Sequence, residues 1–138
     1  MNECDYENDY FGWALKQAEF IKIGEFQKLD IINLQDEIED MGKSVCSSLE
    51  SHIRNALMHM LKVKYQSERD GKSWRSSIKE SKIQAIKIIK KNPSLKSKLD
   101  EIFIDAYEIA RIKASRETGI EEEIFPEKCP WNLEEFLV

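Results

Sequence analysis

The architecture of this chain is set by residues 29–65, which read LDIINLQDEIEDMGKSVCSSLESHIRNALMHMLKVKY. Its apolar side chains recur at steps of three and four, which is the period of an amphipathic α-helix. The carboxylate of Asp30 is placed to accept hydrogen bonds from free N–H groups of the first helical turn. The pattern predicts a helix of about ten turns from Ile31 to Tyr65, with an apolar stripe made of Ile31, Leu34, Ile38, Met41, Val45, Leu49, Ile53, Ala56, Met60 and Val63.

Gly42 interrupts this helix in its middle, where a glycine costs about 1 kcal/mol relative to alanine. The apolar stripe nevertheless passes through Gly42 without a change of phase. We therefore predict a continuous or gently bent helix, with a break near Gly42 as the alternative. Such a helix is about 50 Å long, which is long for a chain of 138 residues.

The same spacing of apolar residues predicts three further main helices. The first runs from about Tyr6 to Ile23 and is ended by Gly24. The second carries a stripe from Trp74 to Ile89. The third begins with Asn92-Pro93 as N-cap and first helical residue, and it closes at Thr118-Gly119.

A short C-terminal helix, Leu133–Leu137, completes the predicted elements, with Asn132 as its N-cap. The alternation of apolar and polar residues that is typical of strands is absent. The sequence thus predicts an all-α fold, a bundle of four main helices of which one is unusually long, in a single domain over residues 1–138.

Charge is unevenly distributed along the chain. Between Lys72 and Lys98 there are nine basic residues and one acidic residue, Glu80, in a chain whose net charge is -5. These lysines surround the predicted helix rather than forming one stripe, so pairing with the many acidic residues elsewhere is the favoured interpretation. Nucleic-acid binding is the alternative, through phosphate contacts made by Lys79, Lys82, Lys87, Lys90 and Lys91.

The cysteines and the lack of apolar runs predict a cytoplasmic protein without a membrane partner. Cys4, Cys46 and Cys129 are scattered and odd in number, which is typical of reduced thiols rather than of a disulfide framework. The acidic N-terminus lacks the apolar core of a signal peptide. No apolar run approaches the roughly 20 residues that span a bilayer.

Several short motifs, in their order and spacing, resemble the bacterial family called Domain of Unknown Function 29. The resemblance covers nearly the whole chain and implies a small helical bacterial protein, of a family common in cyanobacteria, with no established activity and no assigned catalytic residue. The motifs that carry it are WALKQA at 13–18, LQDEIEDMG at 34–42, HMLKVKY at 59–65, SWR at 73–75, PSL at 93–95, ETG at 117–119 and FPEKCPW at 125–131.

A polar pocket is one functional hypothesis. Trp74 and Arg75 open a helix after Arg69, and with His59 they offer a stacking surface and polar groups. Glu37 joins this pocket only if the chain folds back near Gly42 or a second subunit supplies it. The structural alternative makes Trp74 a core anchor and pairs Arg75 with an acidic residue.

The two histidines do not predict a metal site. His52 and His59 lie seven residues apart, about 10.5 Å along one helix, so both imidazoles cannot bind one ion directly. We expect a half-buried histidine bonded to a neighbouring acid or carbonyl, and no metal or other cofactor.

The leading functional prediction is a non-enzymatic protein-interaction or oligomerising module. The long helix carries more apolar stripe than a monomer of this size is expected to cover. A protein partner or a second copy of the chain would cover it. The alternatives are a small enzyme or ligand or metal binder near His59, Trp74 and Arg75, and a nucleic-acid-binding protein.

Overall fold

A computed structural model describes residues 5–66 and 71–138 of the chain. These residues form α-helices without any strand, as predicted, and four of the helices are long. One long helix has 35 residues, and the C-terminal helix is short, so the predicted all-α class is confirmed. The helices are α1, Tyr10–Ile23; α2, Ile31–Tyr65; α3, Lys72–Lys91; α4, Leu99–Thr118; and α5, Leu133–Leu137.

Two predicted helix starts are wrong, and hydrogen bonds explain both. Helix α1 begins at Tyr10 rather than near Tyr6, because the carboxylate of Asp9 accepts from the Gly12 N–H at 3.0 Å and caps the helix there. Asn92 does not cap the next helix, because its side-chain amide donates to the carbonyl of Ile88 at 2.9 Å. A 3-10 helix, Pro93–Lys98, therefore precedes α4.

The contacts within the chain divide it into two compact units, unit 1 up to Lys43 and unit 2 from Ser44 to Val138. Helix α2 contributes its first turns to unit 1 and its later turns to unit 2. Unit 1 buries only Trp13 and Gln17 among its described residues.

Unit 2 contains the hydrophobic core, as a bundle of α-helices closed by the C-terminal tail. Phe125 and Phe136 are almost fully buried although they come late in the chain. The ring of Phe125 packs edge-on against Tyr65 at 5.2 Å, and Phe136 packs in the same way against Phe103 at 5.5 Å. The rest of the core comes mainly from Leu49, Ile53, Leu57 and Leu61 of α2, Ala85 and Ile89 of α3, and Phe103, Ala106, Tyr107 and Ala110 of α4.

Helix α2 continues through Gly42 without a break. An added Cβ at Gly42 meets no atom within 4 Å. We therefore expect Gly42→Ala to raise the free energy of unfolding by about 1 kcal/mol, because alanine restricts the unfolded chain and favours helix. Urea denaturation followed by circular dichroism measures this change.

Gly24 is the control for that substitution. It ends α1 with a φ of 79°, a left-handed conformation that alanine rarely adopts. Gly24→Ala is therefore expected to lower the free energy of unfolding, although the side chain added is the same. A loss of stability in Gly42→Ala as well would contradict an uninterrupted helix.

Among the described residues, no helix combines the length and the apolarity that crossing a membrane requires.

Candidate functional site

Among the residues predicted to form one polar pocket, Glu37 has hydrogen-bond partners of its own. Glu37 belongs to unit 1, where its two carboxylate oxygens accept from the hydroxyls of Tyr6 and Tyr10, both at 2.6 Å. These bonds lower the pKa of Glu37 and raise the pKa of Tyr6 to about 12, because they favour the anionic carboxylate and the neutral phenol. His59, Trp74 and Arg75 belong to unit 2, and Arg69 lies outside the described residues.

Lys62 is the centre of the polar cluster in unit 2. Its side chain is only 8% exposed, and its ammonium lies 2.6 Å from a carboxylate oxygen of Glu117. The same ammonium lies 5.4 Å from the ring centroid of Trp74, within the range of a cation–π contact. Sequence reasoning missed Lys62, although Leu57, Met58 and Leu61 lie off the predicted stripe and indicate that this part of α2 is covered on several sides.

His59 lies beside this ion pair and is half-buried, as expected. Burial lowers the pKa of His59, the positive charge of Lys62 lowers it further, and Glu117 partly opposes the shift. The buried Nδ1 atom has no hydrogen-bond partner within the described part of the chain, so the bond predicted for this histidine is not made through that atom. A ligand site around His59 stays a prediction.

Trp74 and Arg75 differ in their surroundings. Trp74 is half-buried, and the ammonium of Lys62 lies over its ring. Its role as a core anchor stays a prediction. Arg75 is exposed, and it forms no ion pair with a described residue. The predicted pairing of Arg75 with an acidic residue is thus not seen among the described residues and stays a prediction.

The five lysines predicted as phosphate contacts form no ion pair with the described residues. Four are exposed, and the half-buried Lys82 places its ammonium 5.1 Å from the ring centroid of Phe136. The ion pairs seen in residues 5–66 and 71–138 involve other basic residues, and the expected neutralisation of these lysines stays a prediction. Phosphate binding stays a prediction for Lys79, Lys82, Lys87, Lys90 and Lys91.

Unit 1 is held together by polar contacts between α1 and the start of α2. The indole N–H of Trp13 donates to the Asp30 carboxylate at 3.0 Å, and the side-chain oxygen of Gln17 accepts from the Asp30 N–H at 2.7 Å. Hydrogen bonds from Asn33 and Trp13 lower the pKa of Asp30. Helix α1 therefore contacts the polar side of α2, which carries Asp30, Asn33 and Glu37.

This arrangement leaves most of the apolar stripe of α2 exposed in unit 1, where Leu34 is half-buried. We call Ile31, Ile38 and Met41 the α2 face; they are 61%, 64% and 67% exposed. The same stripe continues into unit 2, where Leu49 and Ile53 are fully buried. The α2 face thus has the apolar spacing of a buried helix face, but its three side chains are exposed.

Helix α1 carries a second exposed apolar strip, made of Phe11 and Leu15. These residues are four apart and share one side of α1, away from Trp13 and Gln17. Both side chains are more than half exposed. Unit 1 therefore presents large apolar side chains from both of its helices.

The chain matches a known protein family. A family model described as "Domain of unknown function DUF29" matches residues 6–138. No curated protein and no solved structure matches the chain.

Proposed function

We propose a function for this chain from its own structure, because it belongs to the DUF29 family of proteins of unknown function. The chain is a protein-interaction module that associates with a second copy of itself through the α2 face. The observation that carries this proposal is the exposure of Ile31, Ile38 and Met41 on a stripe that is buried elsewhere in the same helix. We propose no catalytic residue for this chain, and we propose that it is cytoplasmic.

The size of unit 1 supports an interaction role. A chain segment of about 40 residues rarely sustains a core without a disulfide, a metal or a partner. Unit 1 buries one large apolar side chain, Trp13, and joins its helices through polar groups. Exposed apolar side chains grouped in this way are typical of a surface that another protein covers.

A second copy is the partner that fits this surface best. A two-fold axis brings the same apolar patch of both copies together, so an apolar face is complementary to itself. Two helical hairpins paired in this way supply the four helices of a bundle, the simplest arrangement that buries one side of each helix.

Sedimentation equilibrium over a range of protein concentrations tests this proposal. The chain as it stands is expected to reach twice its monomer mass. Ile38→Glu is expected to weaken self-association about 100-fold or more, because two-fold symmetry places two new carboxylates, one from each copy, in the apolar interface. The helical circular dichroism of this variant is expected to be unchanged, since Ile38 is mostly exposed in the single chain.

Ser47→Glu is the matched control, because Ser47 is exposed and lies on the opposite side of the same helix. It adds the same charge and is expected to leave self-association unchanged. A chain that stays at its monomer mass at every concentration would disprove self-association. Equal weakening by Ile38→Glu and Ser47→Glu would show that net charge, and not the α2 face, controls it.

A further inference from the structure

A cavity of about 590 Å³ lies in unit 2 between α4 and the C-terminal tail. Its size falls in the range of cavities that hold small organic molecules. Phe103 and Tyr107 are buried residues of α4 and provide its inner wall, while Ile104, Trp131 and Leu133 provide further apolar surface. The lining is therefore mainly apolar and aromatic.

The walls of this cavity are held in place without a ligand. The ring of Phe103 packs edge-on against Phe136 of α5. The hydroxyl of Tyr107 donates to the carbonyl of Pro126, which ties the tail to α4. Asn132 caps α5 by accepting from the Glu135 N–H at 2.7 Å. Binding would therefore cost little ordering of the protein.

The charged groups that line the cavity are mostly acidic. Asp100, Glu108 and Glu127 contribute carboxylates to the lining, against one ammonium from Lys128. Outside the lining, the ammonium of Lys64 lies 5.7 Å from the ring centroid of Trp131. Asp100 and Glu108 lie one helical turn before and after Ile104, so they flank the apolar surface on the same side of α4. None of the three carboxylates takes part in an ion pair or a side-chain hydrogen bond within the residues that the structure describes.

The cysteine in the lining does not alter this charge balance. Cys129 is half-buried, and burial raises the pKa of its thiol, so the thiol is neutral at physiological pH. The cavity thus offers aromatic surface, carboxylates and a neutral sulfur.

We propose that this cavity binds a small organic cation with a flat apolar body. The body packs on Phe103, Tyr107 and Trp131, and the cationic group approaches the carboxylates beside Ile104. An ammonium gains charge-assisted hydrogen bonds from such carboxylates, and aromatic faces attract the same charge. An anion with the same body meets repulsion instead. This site lies entirely in unit 2 and does not depend on the α2 face.

A pair of probes tests the proposal with the full chain. Tryptamine carries an indole ring and an ammonium, whereas indole-3-propionate carries the same ring and a carboxylate. Isothermal titration calorimetry is expected to give at least about tenfold tighter binding of tryptamine. Glu108→Gln is expected to weaken tryptamine binding about fivefold or more, because it removes one carboxylate from the lining.

Asp105→Asn is the matched control, since Asp105 is exposed on the same helix but does not line the cavity. It is expected to leave tryptamine binding unchanged, and so is Ile38→Glu in unit 1. Equal binding of the two probes, no saturable binding of either, or equal effects of Glu108→Gln and Asp105→Asn would overturn the proposal. Binding of a lysine-rich peptide without binding of tryptamine would also overturn it and would indicate a protein ligand.

Discussion

Phe136→Ala is expected to lower the free energy of unfolding by about 3–5 kcal/mol, the range measured for removing a large aromatic side chain from a core. Phe136 is 1% exposed, its ring packs against Phe103, and the ammonium of Lys82 lies over its ring. Alanine leaves a cavity that a short helix at the end of the chain fills poorly. Urea denaturation monitored by tryptophan fluorescence measures the loss.

Val138 provides the comparison for this substitution. It lies two residues later and is 99% exposed, so Val138→Ala is expected to change stability by no more than about 0.5 kcal/mol. If Phe136→Ala is as mild as Val138→Ala, the C-terminal tail is not part of the folded core. A large loss would instead establish that the last turn of the chain closes unit 2.

Glu117→Gln is expected to destabilise the protein by about 1.5 kcal/mol, the lower end of the range for a hydrogen bond to a charged group, because solvent screens the charge of Glu117. The buried ammonium of Lys62 would keep its contact with the ring of Trp74. It would lose the carboxylate of Glu117, which lies 2.6 Å away. Glu117 itself is nearly half exposed, so its own desolvation adds little. Thermal and urea denaturation at neutral pH measure the effect.

The double variant Lys62→Met/Glu117→Gln separates the buried charge from other effects of changing Glu117. Methionine has a similar length and no charge, so it removes the need for a carboxylate. The double variant is expected to recover most of the stability that Glu117→Gln loses. Glu123→Gln, at an exposed position, is expected to be nearly neutral. A double variant no more stable than Glu117→Gln would contradict a buried, uncompensated ammonium as the cause.

Local chemistry made much of the fold predictable. Asp30 accepts from the Asn33 N–H at 3.3 Å and Asn132 from the Glu135 N–H at 2.7 Å, as their positions before helices predict. Gly24 and Gly119 end their helices with positive φ, for the reason that favours glycine there. Asn92 shows the limit of such reasoning, because one side chain between two helices can cap either of them.

The candidate sites were harder to predict, since they depend on residues far apart in the chain. Lys62 and Glu117 are separated by 55 positions, and no local pattern pairs them. Glu37 looked available for a pocket, but the hydroxyls of Tyr6 and Tyr10 occupy its carboxylate. The acid-lined cavity beside α4 requires the tail after Phe125 to return to that helix, which spacing alone does not indicate.

The three-four spacing between Ile31 and Tyr65 was enough to establish a long helix, because helical periodicity is a property of neighbouring residues. It did not reveal which turns of that helix are covered. Leu49 and Ile53 are buried while Ile38 and Met41 are exposed, although all four belong to one stripe. Burial depends on which distant segments pack against each turn, and only the folded arrangement of those segments specifies it.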